Sequence, residues 1–560
     1  MLLKEAKDRA LWQRIRTAEQ YRSFRESMRQ FYRETDGDIA ILSFRDFMHF
    51  SETGNRILFE NQYFHRRAQL IAAAGMYLLE QEEVYLNRLQ DVMWAICDEY
   101  TWSLPAHVPV NQQSDMTRRH IDLFAAETGF ALSELSCLLD KQLHPRLLQR
   151  VRDEVTVRIL NSFAQTAFHW EHLEMNWSAV CAGSVGACFL YLAPDRFPEV
   201  KSRILHAMDC FLRGFGTDGC CREGMSYWNY GFGFFTYFAD LLYRFTDGQE
   251  NLFADKRAAQ TAQFPQAAFL NASTVISFAD CGPDADAQPG LVCYLMRRYP
   301  GQISFSGRFS ELRDPNDRCY RWATFIRNLV WTDPALLVPK KPQPVQYLPE
   351  AQWYINHTGP FSLAAKGGHN DEPHNHNDLG GFILADSRRQ LLCDLGSGLY
   401  DHAYFQPETR YNVISNSALG HSVPIIDNGL QQPGERHCAA VLQADDTAFS
   451  LDITKAYDCD ALTQATRTFT LSPDSIRLCD RFAFAGQPRP ITERFITRIP
   501  PQQDGCNVAI DSLLIRSEIA PAVTELQFTD HLGGQHPFYA IDYTLADADC
   551  FCITFQKQHK

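Results

Sequence analysis

Near residue 332 the chain changes its hydrophobic period, and this change restricts its architecture more than any other feature. Before that point apolar residues recur at three- and four-residue spacings, which marks helices with one buried face. Residues 4–33 place Leu11, Ile15, Tyr21, Phe24, Met28 and Phe31 on such a face, and the same period runs through 63–80, 83–99, 117–132, 145–165, 178–191 and 198–215. Beyond it, short alternating runs separated by turn residues predict strands. Residues 381–386 and 390–394 predict one hairpin, 466–471 and 476–484 another, and 551–556 a closing strand. Pro334, Pro339, Pro342 and Pro344 keep the join extended. The expected architecture is an α+β multidomain chain: helices over 1–331, a linker over 332–347, and an antiparallel β-sandwich over 348–560.

Composition removes several function classes. At 45% hydrophobic and 21% charged residues, the chain is neither disordered nor fibrous. Its 53 Lys+Arg stand against 67 Asp+Glu, a net charge of −14, and basic residues cluster no further than pairs such as Lys340-Lys341. A nucleic-acid partner needs a basic footprint, so none is expected. No run approaches the ~18 apolar residues of a membrane span, so no membrane partner is expected. The first residues turn charged at once and show no secretory signal, which predicts a cytoplasmic protein, or a secreted one if a leader was trimmed. Seventeen cysteines without zinc-type spacing read as reduced, mostly buried thiols. Homo-oligomerisation is left open.

The densest chemistry lies in the stretch from Lys366 to Gly381, which holds His369, His374 and His376 among acids and amides. If the stretch is extended, His374 and His376 share a face. Asp394, at the end of the partner strand, would return beside His376, and His421 closes a second polar cluster that begins at Arg410-Tyr411. Two imidazoles and a carboxylate are a common Zn²⁺ ligand set; solvated loop histidines are the plainer reading. The helical half carries two polar-aromatic islands, one with His169, His172, Asn176 and Trp177, the other with Arg222, Glu223, Tyr227, Trp228 and Tyr230. An amide, an arginine and phenols beside Trp suit a cleft for an acidic sugar chain, and equally suit a capped helix start with interfacial aromatics.

The run His374-Asn-His376-Asn-Asp378-x-Gly-x-Phe, then Leu392-x-Asp394-x-Gly396 and Tyr400, resembles the heparinase II/III superfamily of polysaccharide lyases. Arg410-Tyr411, Ser417-x-x-x-His421, Asn176-Trp177-x-x-Val-Cys and Asp218-Gly-x-x-x-Glu223-Gly-x-x-Tyr227-Trp-x-Tyr230-Gly extend the likeness over about residues 165–430. It implies an incomplete (α/α) toroid followed by an antiparallel β-sandwich. It also implies β-elimination on a uronate polysaccharide or oligosaccharide, a glycosaminoglycan such as hyaluronan, chondroitin or heparan sulfate before alginate. Asn176 and His374 match the groups that neutralise the uronate carboxylate. Tyr227 matches the helical-domain acid or base, and Tyr411 the sandwich-side base of some relatives. Trp177, His172, Arg222, Glu223, Trp228, Tyr230 and Arg410 are expected to contact substrate, with Arg222, Arg410 and Lys366 supplying positive charge. His376, Asp394 and His421 match a divalent-metal site, Zn²⁺ first and Mn²⁺ second, with no organic cofactor. One departure stands out: many relatives carry a His at or near the position of Trp177, so the base is left between Tyr411, Tyr227 and a nearby His such as His169 or His172. A glycoside hydrolase using Glu171, Glu174, Asp218 or Glu223 is the competing enzyme, and a carbohydrate-binding scaffold the non-enzyme alternative.

Overall fold

The computed structural model describes residues 2–109, 111–338, 340–546 and 549–558; Pro339 of the expected linker lies outside the described residues. The helices form two layers, as an (α/α) toroid requires. Ile57–Glu80, Leu123–Leu138, Asn176–Leu192 and Gly233–Phe245 are buried nearly all round. Arg22–Thr35, Glu83–Cys97, Pro145–Val155 and Phe197–Arg213 bury one stripe and cover them from outside. In Asn176–Leu192 the small residues Ala179, Ala182, Gly183, Gly186 and Ala187 let neighbouring helices approach closely.

Helix boundaries depart from the periodicity where side chains intervene. The stretch 4–33 breaks because Asp8 caps a new helix by accepting from Ala10 N. The expected helix 117–132 starts at Leu123, where the Asp122 carboxylate accepts from Ala125 N, and it runs on to Leu138. A carboxylate that satisfies a free amide at a helix start is a stronger signal than the apolar stripe.

The last toroid helix ends at Trp331 and the first strand is Val345–Leu348. Both expected hairpins form, Phe382–Ala385 with Gln390–Leu392 and Leu462–Leu471 with Ser475–Phe484, and Cys550–Lys557 is the closing strand. All named strands pair antiparallel, in sheets of five, eight, four and two strands. The five-stranded sheet is buried on both faces. Trp353, Ile355, Ala364 and Ile383 pack into the toroid core, while Tyr354, Leu363, Phe382 and Leu384 pack into the sandwich core. Alternation thus becomes a continuous apolar run, because both pleat directions meet protein. Arg467, wholly buried, pairs with Asp480 and Glu493 and donates to Gly380 O and Ser422 O, joining the strand core to the segments that carry His376 and His421.

The reading of all cysteines as thiols is corrected at one pair. Cys479 and Cys552 face each other across the ladder between Ser475–Phe484 and Cys550–Lys557, and they form a disulfide. The pairing depends on strand register across a sequence separation of 73, which spacing alone does not reveal. The other cysteines are free and buried or half-buried.

Candidate active site

The two domains meet along a polar seam, where the Asp218 carboxylate accepts from Glu350 N and Ala351 N, and Gln390 donates to Val275 O. The seam gathers Asn176, Glu223, Tyr227 and Asp280 from the toroid with His374, His376, Tyr400, Tyr404 and Arg410 from the sandwich.

Asn176 opens its helix, and its Nδ2 donates to Glu223 Oε2 at 2.8 Å. The same Glu223 oxygen lies 3.4 Å from His374 Nε2, so an amide and an imidazole converge on one carboxylate oxygen. The His374 ring stacks on Tyr227 with centroids 4.5 Å apart. Tyr227 OH meets Tyr400 OH at 2.9 Å, and Tyr400 donates to Asp280 Oδ2 at 2.9 Å. Asp280 also accepts from His374 Nδ1 at 2.6 Å, from His376 Nε2 at 3.0 Å and from the Tyr404 hydroxyl.

Gly224 shapes this junction. Its φ is +90°, and a Cβ there would lie 2.4 Å from Cys281 Cβ, on the loop that carries Asp280. Gly224→Ala is expected to cost about 1–3 kcal/mol in denaturant unfolding, the usual range for forced overpacking, and to lower activity by displacing that loop.

The electrostatics follow from burial. Burial alone would lower His374, but its hydrogen bond to Asp280 and the charges of Asp280 and Glu223 outweigh this and hold it above the ordinary histidine value. A protonated His374 has a proton on both nitrogens, with Nε2 facing Glu223 at 3.4 Å. Burial raises Glu223 despite the opposing effects of His374 and Asn176. Burial, then the charge of Asp280, drives Tyr227 far above an ordinary phenol, so it keeps its proton.

Several expected site residues lie elsewhere. The segment holding His374 and His376 is a turn and not an extended strand: pairing stops at Asn370, and His374 has φ 57°. The two histidines still share a target, because both reach Asp280. Tyr411 is half-buried and makes no hydrogen bond to the cluster; the sandwich phenols that touch it are Tyr400 and Tyr404. His172 is exposed and faces His206 at 3.0 Å on an outer helix, away from Asn176. Trp177 packs beside His107 and His169, with ring centroids at 5.0 and 5.8 Å. Trp228 is core, its indole N–H bound to Thr261 O. Tyr230 donates to Glu127 beneath the Arg321 guanidinium.

The expected cationic groups are already engaged. Arg222 pairs with Glu372 at 3.0 Å, Lys366 with Asp378 at 2.6 Å, and Arg410 spans Asn375 O and Tyr404 O. The carboxylates of the hydrolase reading are engaged too: Glu171 with Arg203, Glu174 with Arg213, and Asp218 with backbone amides.

His376, Asp394 and His421 bring one ligand atom each within 4.8 Å of one another. His376 Nε2 is turned to Asp280 and His421 Nε2 to Ser415 O at 2.8 Å, so both Nδ1 atoms face Asp394. Among the described residues, buried His376 Nδ1 has no hydrogen-bond partner. Imidazole lone pairs aimed at a carboxylate repel it unless a proton or cation lies between them, so the donor set fits a divalent ion.

Sequence reasoning missed Asp280, Tyr400 and Tyr404 as site residues. Tyr400 stood in the resemblance run without a role, whereas Asp280, in Ser277-Phe-Ala-Asp280-Cys, carries no motif.

No family model matches the sequence, and no curated protein matches it. Solved structures do match the fold. The crystal structure of heparinase III aligns with TM-score 0.64 at 12% identity, over 99% of this chain and 92% of that one. A heparan sulfate lyase from Pedobacter heparinus gives 0.58 at 12%, over 96% and 88%. A chondroitin AC lyase from Streptomyces coelicolor A3, in complex with chondroitin sulphate, gives 0.56 at 9%, over 99% and 82%. From end to end, the chain carries the toroid-and-sandwich fold of these lyase structures.

Proposed function

We propose that the chain is a polysaccharide lyase that cleaves a uronate-containing polysaccharide by β-elimination, with a glycosaminoglycan as the preferred substrate and alginate second. The observation that carries this reading is the convergence of Asn176 Nδ2 and His374 Nε2 on one carboxylate oxygen beside the Tyr227 phenol. A uronate carboxylate binding there takes the donors that now hold Glu223. Neutralised in this way, it withdraws electrons from C5 and makes that C–H acidic enough to break. The base takes the C5 proton, the C5–H electron pair becomes the C4–C5 double bond as the C4–O4 bond breaks, and O4 takes a proton from the acid. Tyr227, which holds its proton tightly, enters the cycle as the acid. Of the candidates for the base, His172 faces outward, Tyr411 stands apart and Tyr227 holds its proton, so His169, beside Trp177, is the one left to take the C5 proton.

We read His376, Asp394 and His421 as a Zn²⁺ site, with Mn²⁺ the alternative. A bound ion would contribute charge and cross-linking, while this chain's own residues aim His374 at the substrate. The fold's likeness to heparinase and chondroitin lyases supports the substrate class.

Ultraviolet absorbance of unsaturated uronate, followed on hyaluronan, chondroitin sulfates, heparan sulfate and alginate, tests the reading. A rise on at least one polymer is expected. New reducing ends without that absorbance would show hydrolysis and refute elimination.

A further inference from the structure

Asp280 joins the two halves of the site and belongs to none of the motifs above. We infer that Asp280 is the positioning residue that aims both key imidazoles, setting His374 Nε2 toward Glu223 and Asn176 and His376 Nδ1 toward Asp394 and His421. For His374 the inference rests on the lyase reading; for His376 it stands without it.

The side chain is wholly buried, and each of its oxygens is used twice. Oδ2 takes His374 Nδ1 at 2.6 Å and Tyr400 OH at 2.9 Å, while Oδ1 takes His376 Nε2 at 3.0 Å and the Tyr404 hydroxyl. An ionised carboxylate has about four acceptor positions, and these four donors fill them. Fixing one nitrogen of an imidazole fixes the tautomer and direction of the other. Asp280 therefore decides what His374 offers at the Glu223 side and what His376 offers a metal. Because Tyr400 spends its proton on Asp280, its oxygen is left to accept from Tyr227, so the phenol is aimed by the same group.

The backbone on both sides of the contact is held in an unfavourable conformation. Ala279, just before Asp280, has φ 57°, and so has His374. Left-handed conformations at non-glycine residues are unfavourable and persist only where the surroundings impose them. Here one lies on each side of a single hydrogen bond. The loop is also clamped from the sandwich, since a Cβ on Gly396 would come within 2.8 Å of Cys281 O.

Asp280→Asn keeps the size but replaces one acceptor oxygen with a donor. With zinc alone as the probe, chelator competition should show an affinity about 10–100-fold weaker, the usual loss for such an outer-shell partner. His374→Ala should leave that affinity unchanged. In the zinc-loaded enzyme, kcat of Asp280→Asn should fall with KM little altered, because aim and not binding is lost. Wild-type zinc affinity together with wild-type kcat would overturn the inference. If Asp280→Asn does not fold, Asp280→Glu carries the test: it keeps the charge and moves the carboxylate by one methylene. Undiminished zinc affinity and turnover in Asp280→Glu would overturn the inference, and losses in both would uphold it. Should wild type cleave none of the polymers while Asp280→Asn still loses zinc, the lyase reading fails and the aiming of His376 stands.

Discussion

Tyr227→Phe is expected to fold like the parent and to lose about 10²–10⁴-fold in kcat, the usual cost of removing a positioned proton donor. The substitution removes one oxygen. The ring keeps its stack on His374, and among the described residues the hydrogen bond lost is the one to Tyr400. Steady-state kinetics on the polymer that gives the strongest absorbance would measure the effect, with circular dichroism as the check on folding. Tyr230→Phe is the control. Its hydroxyl is bound to Glu127 beneath Arg321, so its loss should leave kcat nearly unchanged. Near-normal turnover in Tyr227→Phe with a dead Tyr230→Phe would mean that the acid has been assigned to the wrong phenol.

The second large effect divides His374 from His376. His376→Ala removes a ligand whose Nδ1 faces Asp394 and His421, and the mutant should lose bound metal, melt at lower temperature and lose activity together. His374→Ala should keep its metal and nearly its melting temperature while turnover collapses, because His374 touches Asp280 and Glu223 but none of the three ligands. Elemental analysis, thermal unfolding and kinetics on both variants make the comparison. Equal metal loss in the two, or no stoichiometric metal in wild type, would overturn the division.

What the sequence made legible was local. The switch from helical to alternating period, both hairpins and the closing strand can be read because each depends on residues close in sequence. The convergence of His376, Asp394 and His421 was reached through family likeness and a hairpin argument, and the three do lie together. What escaped depends on distant partners. Asp280 is 94 residues from His374, in a loop without a motif. Arg222 resembled a substrate-binding cation, but its partner Glu372 lies 150 residues away. Trp228 sits beside Tyr227 in sequence, yet the helical turn sends it into the core while the phenol faces the seam. A single chain read alone gives residue types and spacing, and burial and pairing decide which of those residues are free to act.

The placement of one carboxylate across the domain seam also has an evolutionary consequence. A change at Asp280 alone would leave two imidazoles and two phenols at the seam without their shared acceptor, while a change at His374 alone would leave the acceptor in place and remove the group it aims. The first kind of intermediate is penalised twice, once in folding and once in turnover, and the second in turnover. The toroid loop and the sandwich turn must therefore be inherited as a unit, so recombination that exchanges one domain between diverged homologues should yield chains that assemble poorly and catalyse worse.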